Sequence, residues 1–367
     1  MTLRYKILVF LLVLVFAGFT ALAVALGYTS DCEPAPALTG DEDTMRAVVY
    51  RCYGSPDVLT QEEVVTPVPA DDEVLVKVRA AGVNPLDWHY MRGSPYLMRL
   101  SSGLGKPKDI RLGRDFAGRV EAVGSKVSKF KVGDAVFGGA AGAFADYVVL
   151  REDRALAHVP ENLMFEQAAS VPVAAITALQ AVRDKGKVQP GQKVLINGAS
   201  GGVGTFAVQI AKSMGAEVTG VCSTRNLEMV RSIGADHVID YKNEDYTQGS
   251  DKYDVIIDMV GNRTLLENRK VMRPEGTFVI VGGKSGNWFG PLLRPISAML
   301  LSPFVDQQFE MILARLDPSD LRALAGLMED GAVTPVLDRL FEFDEVPDAI
   351  RYSESGRARG KIVVSMD

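Results

Sequence analysis

Cysteine, histidine and tryptophan are scarce in this 367-residue chain, which has three Cys, three His and two Trp. Cys32, Cys52 and Cys222 lie far apart in sequence. They offer no four-ligand zinc cluster, and three are too few for a disulfide framework. No long basic run is present, and the net charge is −6 from 40 basic and 46 acidic residues. This excludes nucleic acid as the main partner, because phosphate binding needs a positive face. Internal repeats and low-complexity tracts are also missing. What remains is an ordinary globular composition, 47% hydrophobic and 23% charged with 35 Gly, long enough for about two domains.

One segment breaks that pattern. Arg4 and Lys6 precede a charge-free apolar run over residues 7–26. Twenty helical residues at about 1.5 Å each reach about 30 Å, the thickness of a bilayer core. The run is longer than a usual signal-peptide core, so residues 1–27 read as one uncleaved transmembrane helix. The small-x-small sites Ala21-Leu22-Ala23 and Ala23-Val24-Ala25 leave a cleaved signal as the alternative. Residues 28–45 are rich in proline and acid and read as a linker. Positive charge ahead of the run places the body outside, whereas a need for reduced cofactor argues for the cytosolic side. The face of the membrane stays open.

Beyond residue 45 the hydrophobic period changes once. Residues 46–50, 73–79, 118–123, 131–137 and 142–148 alternate or run apolar between glycine turns, as short strands of a closed or nearly closed β domain do. From Val194 onward strands alternate with helices, which implies an α/β unit with a parallel sheet. The sequence Val194-Leu195-Ile196-Asn197 is a buried strand, Gly198–Gly204 (GASGGVG) a turn, and 205–214 a helix. In that setting a glycine loop means dinucleotide binding. Gly201 and Gly202 let the backbone approach a pyrophosphate, with Ser200 and Val203 beside them. Gly204 permits close helix–strand packing, and the helix start offers free N–H groups to the anion.

The end of the next strand selects the cofactor. An acid there holds the ribose hydroxyls of NAD. This chain has Cys222-Ser223-Thr224-Arg225-Asn226 instead. Ser223 and Arg225 suit a 2′-phosphate, so NADPH is the expected cofactor. The plainer alternative makes Arg225 a solvated charge at a helix start.

Several motifs in order resemble one family: Ala81–Asp87 (AGVNPLD), Leu112–Gly118 (LGRDFAG), Val132-Gly133-Asp134, the glycine loop, Gly234–Tyr241 (GADHVIDY) and Gly360–Val364 (GKIVV). From about residue 45 to the end the chain is similar to the medium-chain dehydrogenase/reductase superfamily. The resemblance is to its quinone oxidoreductase-like members, including those similar to the reticulon-interacting mitochondrial reductase. It implies a GroES-like β domain over 46–170, completed by about 331–367, and a doubly wound Rossmann domain over 171–330. It also implies that Thr177 sits near the nicotinamide, that Tyr241 approaches the adenosine phosphate, and that Gly261, Gly282 and Lys361 line the cofactor channel.

Zinc-dependent members of the family carry Cys where this chain has Asn84, and a His-Glu pair where it has Arg114-Asp115. Arginine stays protonated and has no lone pair to give, so no metal is expected. His158 and His237 read as structural. The chemistry implied is hydride transfer to a quinone or another α,β-unsaturated carbonyl, with donors needed near the developing negative charge. Asn84, Asp87, Tyr90 and Arg92 are the catalytic candidates on the segment that faces the nicotinamide in the family. Asn84 would donate its amide, Asp87 would organise the loop, and Tyr90 or Arg92 would stabilise charge. His89 and Trp88 are either part of this set or packing residues. Alternatives are an alcohol or aldehyde dehydrogenase of the same fold, or a tethered NADPH-binding protein without turnover. The apolar segment 286–305 reads as a cleft lid or a homodimer contact, with bilayer contact as the other option.

Overall fold

The change of hydrophobic period becomes two different sheets. The structure, a computed structural model, describes residues 3–38, 40–283, 286–288 and 290–366. Strands β1 (Thr44–Tyr50) and β2 (Leu59–Val65) form an antiparallel pair. A second, mainly antiparallel sheet follows, from β3 (Glu73–Val83), β4 (Asp115–Val123), β5 (Ala135–Gly139), β6 (Tyr147–Arg151) and β7 (Leu156–His158). Along β3 only Lys77 and Arg79 are exposed, and the valines between them fill the core. Its packing centre is Phe116, Phe144 and the inward valines of β3.

The parallel sheet contains β8 (Lys193–Asn197), β9 (Glu217–Cys222), β10 (His237–Asp240), β11 (Tyr253–Asp258), β12 (Met272–Ile280) and β13 (Gln308–Met311). Their order is β10-β9-β8-β11-β12-β13. The order reverses between β8 and β11, which is where doubly wound sheets bind ligands, beyond the strands' C-terminal ends. Strand β8 is buried on both faces, which explains its continuous apolar run. Strands β14 (Leu337–Phe341) and β15 (Lys361–Ser365) then return to the mainly antiparallel sheet, where β15 pairs antiparallel with β3.

Helix α1 (Leu3–Gly27) is the N-terminal apolar segment. Helices α2 (Pro85–Arg92) and α3 (Arg99–Ser102) sit between β3 and β4. Helices α4 (Phe165–Ala169) and α5 (Pro172–Leu179) join the two sheets, and α6 (Gly202–Ser213), α7 (Leu227–Ser232) and α8 (Leu265–Arg269) cross over between parallel strands. Helix α9 (Gly290–Leu301) precedes β13, and α10 (Pro318–Glu329) and α11 (Val346–Glu354) follow it. One hydrophobic core runs without a break from Ala80, Ala117 and Phe137 of the β domain to Phe206, Val208 and Ile257 of the Rossmann domain. Gly82 makes that junction possible, since a Cβ there would lie 2.3 Å from the carbonyl oxygen of Ala169.

Two expectations need correction. The segment 142–148 is not a strand over its length. Gly142 turns with φ +80°, residues 143–146 run irregularly between Val48 and Leu112, and pairing begins at Tyr147. The cysteines also behave differently from the sequence reading. Cys32 and Cys52 form a disulfide with their Cα atoms 4.7 Å apart, leaving Cys222 as the one buried free thiol. Residues 28–45 are therefore not a free spacer. Ser30 donates its N–H to the carbonyl of Gly105, and Lys106 pairs with Glu33.

Closing a loop of this length removes unfolded-chain entropy worth roughly 3 kcal/mol. Cys32→Ser should lower the unfolding free energy by about 2–3 kcal/mol in a denaturant titration. Thiol counting on the denatured, unreduced protein should find one reactive cysteine; finding three would refute the bridge.

Candidate active site

The glycine loop connects β8 to α6 through a turn that only glycine tolerates at two points. Gly198 has φ +91°, and a Cβ on Gly204 would lie 2.1 Å from the Gly198 carbonyl oxygen. Gly201 bridges to Gly360 at the start of β15, so the loop lies at the domain junction. It opens into a cleft of about 1410 Å³, larger than the pocket a single drug-sized ligand fills. Ser200, Gly201, Gly202, Val203, Gly204, Ser223, Arg225 and Tyr241 all border that cleft, as do Thr177, Gly282 and Lys361. Gly261 does not. Its N–H donates to Asp258 at 3.0 Å and its neighbours Val260 and Asn262 reach the cleft instead.

The end of the cleft at Ser223 and Arg225, beyond β9, carries no acid in its wall. Ser223 and Arg225 border it, while Asp240 is turned aside and takes hydrogen bonds from Thr224 and Asn243. Arg225 donates to the carbonyl of Arg357 at 2.7 Å, and Arg359 donates back to the carbonyl of Arg225 at 3.3 Å. These hydrogen bonds join the Ser223–Arg225 segment, which borders the cleft, to the loop after α11. Arg357 and Arg359 had no sequence signal, because a loop more than a hundred residues away brings them in.

The opposite end rests on a buried polar cluster. Lys361, only 3% exposed, donates from Nζ to Asn84 Oδ1 at 2.6 Å and to the Val83 carbonyl at 3.1 Å, with Asp115 at 3.6 Å. Asn84 Nδ2 donates to Asp115 Oδ2 at 2.9 Å, and Asp115 Oδ1 accepts the N–H of Val173 in the first turn of α5. Both ends of the Asn84 amide are therefore committed within the protein. Asn84 is part of the floor of the cleft, not the free donor that the sequence suggested. Asp87 caps α2 by accepting the Asn84 N–H at 2.7 Å, which is its expected loop-organising role.

Helical phase decides which α2 residues reach the cleft. Leu86, Trp88, His89 and Arg92 border it, whereas Asp87 and Met91 are buried beneath. Tyr90 faces the β-domain side with the Arg114 guanidinium 5.3 Å from its ring, and does not border the cleft. His89 Nδ1 lies 2.6 Å from the Ser94 carbonyl, and burial lowers the ring's pKa. Arg92 is tied through Nε and Nη2 to Glu354 of α11 at 2.7 and 2.8 Å. A further set was missed in the sequence. Asp258 ends β11 and accepts from Asn197 at 2.9 Å, and Arg294 of α9 pairs with its other oxygen at 2.5 Å.

Two family models match the chain: an alcohol dehydrogenase GroES-like domain over residues 70–161 and a zinc-binding dehydrogenase domain over 233–364. The mitochondrial NAD(P)H oxidoreductase RTN4IP1 of Bos taurus is 33% identical, over 88% of this chain and 89% of its own. The 2-methylene-furan-3-one reductase of Solanum lycopersicum is 34% identical, over 87% of this chain and 79% of its own. The crystal structure of Escherichia coli quinone oxidoreductase complexed with NADPH superposes with a TM-score of 0.74 at 25% identity, over 88% of this chain and all of the other. The chain belongs to the medium-chain dehydrogenase/reductase family, with the GroES-like and Rossmann-like domains that define it. Within that family it is an oxidoreductase of the zinc-independent, quinone oxidoreductase-like branch. Where zinc-dependent members place their ligands, Asn84 and Asp115 surround the Lys361 ammonium, a cation that occupies the space beside them.

Burial pushes the Asp87 carboxyl up to about 7, with Asp115 adding to the rise and the Asn84 N–H, Lys361 and Arg114 opposing it. A carboxyl raised in the folded state contributes stability below its unfolded pKa and loses it as pH climbs through the folded value. Asp87→Asn keeps an oxygen for the Asn84 N–H but has no proton to lose. Its stability relative to the parent should improve by up to a few kcal/mol between pH 4 and 8, read by urea unfolding. A pH-independent difference would refute the assignment.

Proposed function

We propose that this protein is an NADPH-dependent reductase passing a hydride to a quinone or another α,β-unsaturated carbonyl, held at a membrane by α1. The observation that carries the reading is one continuous cleft. It runs from an acid-free adenosine pocket at Ser223 and Arg225, past the glycine loop, to the α2 wall at His89 and Arg92. The residues present fit the dinucleotide: Gly201 and Gly202 keep the backbone open at the start of α6, where N–H groups face an anion.

NADPH, when bound, supplies the hydride. The chain's own residues do the rest. Thr177, whose hydroxyl donates to the Val173 carbonyl at 2.7 Å, and Gly282 border the reacting end. Arg92 keeps its Nη1 edge free of Glu354 and offers positive charge to the oxygen that becomes an oxyanion. In a quinone the anion left by hydride addition takes one proton from solvent, and the product is the hydroquinone. In an enone the hydride joins the β-carbon and a proton the α-carbon. Neither step needs a metal Lewis acid.

Turnover of NADPH with benzoquinones and enones, and little with aldehydes, is the expected outcome of an acceptor panel. Aldehyde-only turnover would favour an alcohol or aldehyde dehydrogenase. Tight NADPH binding without turnover would favour a binder. Ser223→Asp with Arg225→Ala should lower kcat/KM for NADPH about 100-fold while sparing NADH, since about 2–3 kcal/mol of charge-assisted hydrogen bonding is lost.

The second part of the reading concerns α1. It is 25 residues long, and its apolar side chains from Val9 onward are almost all exposed. A soluble protein has no use for such a surface, which supports an uncleaved anchor. Charge bias favours the body outside the cytosol, and the Cys32–Cys52 bridge favours the same, oxidising side, against the pull of the NADPH supply toward the cytosol; on this placement NADPH must be supplied on the outer side. A reporter fused after residue 367 should read as non-cytosolic and the full-length chain should fractionate with membranes. A cytosolic reporter would overturn the side, and a soluble full-length chain the anchor.

A further inference from the structure

We propose that the substrate cleft opens at the bilayer surface and takes its acceptor, a quinone or enone bearing a long apolar tail, directly from the lipid. The proposal rests on the anchored-reductase reading above. It starts from the way α1 leaves the membrane. The chain does not swing away after Gly27. Arg99, 3% exposed, donates from Nη1 to the carbonyls of Leu26 and Tyr28 at 2.9 and 2.7 Å and from Nε to the carbonyl of Gly93 at 2.8 Å. The Cys32–Cys52 bridge and the Ser30–Gly105 hydrogen bond secure the next turn. The anchor is thus fixed against the segment that carries α3.

That segment is also the rim of the cleft. Ser94 and Asn287 both border the cleft and are joined at 2.8 Å, and Tyr96 donates its N–H to the Asn287 carbonyl at 2.7 Å. Trp288 stacks edge-on against Tyr96 at 4.8 Å, and a Cβ on Gly27 would lie 3.8 Å from its ring. The end of α1 and the mouth of the cleft are therefore in contact.

Around this point the surface is apolar. Leu97, Leu100 and Leu104 are 41%, 56% and 55% exposed on the rim segment. Helix α9 begins two residues after Trp288 and extends about 18 Å. Leu293, Ile296, Met299 and Leu300 form an exposed stripe at helical spacing on one side of it, while Ala298 packs into the core. Between residues 290 and 305 the sole charge is Arg294, and it turns inward to Asp258. Gly290, Arg294 and Pro295 border the cleft. Helix α9 is accordingly a wall with the cleft on one side and an uncharged apolar face on the other. The occupant of that face is set by its neighbour, since a helix long enough to span a bilayer ends where the wall begins. A tailed acceptor lying in the outer lipid layer would need to move only its head group past Ser94 and Asn287.

The test uses the full chain in phosphatidylcholine–phosphatidylglycerol vesicles. It compares a methyl-substituted benzoquinone with a decyl-tailed analogue dissolved in the same lipid. The parent protein should favour the tailed acceptor at least tenfold in kcat/KM. The triple variant Leu293→Asn, Met299→Gln, Leu300→Asn should lose most of that preference and keep its rate on the methyl analogue. Lipids brominated on the upper acyl chain should quench parent fluorescence, and Trp288→Phe should abolish the quenched component; this measurement needs no turnover. Equal use of both acceptors, or absence of quenching, overturns the proposal and leaves the reductase reading standing. Reduction of neither acceptor overturns both. If the triple variant instead turns a dimer into a monomer without changing the quenching, the stripe is a contact between two copies and the proposal falls.

Discussion

The buried ammonium of Lys361 is the constraint on which the rest of the structure depends. Removing an ionised amine from water costs several kcal/mol, and only close partners offset it. Here those partners come from three places in the sequence: the end of β3, the start of β4 and, through Asp115, the first turn of α5. The cluster has to be complete to be tolerated, so it fixes where β15 returns. That return puts Gly360 against Gly201 and lines up the cofactor loop with the floor of the β domain. Burial lowers the Lys361 pKa and raises that of Asp115, while each one's charge opposes the shift in the other.

The same cluster narrows the chemistry. The Lys361 ammonium sits against Asn84 and Asp115, so their oxygens already face a cation supplied by the chain. The Asn84 amide is held at both ends and shapes the floor of the cleft. Charge that develops on the acceptor must then be met from the α2 side. There Arg92 is held by Glu354, and His89 is held by the Ser94 carbonyl. With its pKa lowered by burial, His89 favours the neutral form, so permanent positive charge on that wall comes from Arg92. This is consistent with the proposed quinone or enone reduction, in which an electron-poor carbon accepts hydride before any proton is needed.

What the sequence made legible was local. Strand β8, the glycine loop and the start of α6 follow from the apolar run and the spacing of glycines, and the structure has them at 193–213 with shifts of a few residues. The missing acid after β9 was legible because one position decides it. Tyr90 was misjudged for a different reason. A helix places residues 85, 88, 89 and 92 on the cleft face and turns 87, 90 and 91 away from it, so being next to His89 in sequence does not bring Tyr90 to the cleft. The Asn84 amide was misjudged because its partners lie 31 and 277 residues away. The Cys32–Cys52 bridge, the Arg357–Arg359 pair and Arg294 share that cause. Each depends on a loop meeting a distant one, and no local pattern records such a meeting.

Two arginines, Arg99 buried and Arg294 half-buried, bracket the mouth of the cleft, and they do so by opposite means. Arg99 has no carboxylate partner; it sits between the rings of Tyr53 and Tyr96 at 4.5 and 4.4 Å and gives its N–H groups to backbone carbonyls. Burial lowers its pKa, yet a guanidinium starts so high that it stays charged. Arg294 instead meets Asp258, whose second oxygen holds Asn197 and the N–H groups of Val260 and Gly261 at the cofactor side of the cleft. The first arginine ties the rim to the end of α1, and the second ties α9 to the C-terminal end of β11. Asn287 and Trp288 lie between the two, touching Ser94, Tyr96 and Gly27. A force on the anchor would therefore be passed to the rim through hydrogen bonds and ring contacts, while the cofactor floor stays fixed by its own carboxylate. The mouth has two independently fastened sides, one belonging to the α1 exit and one to the parallel sheet.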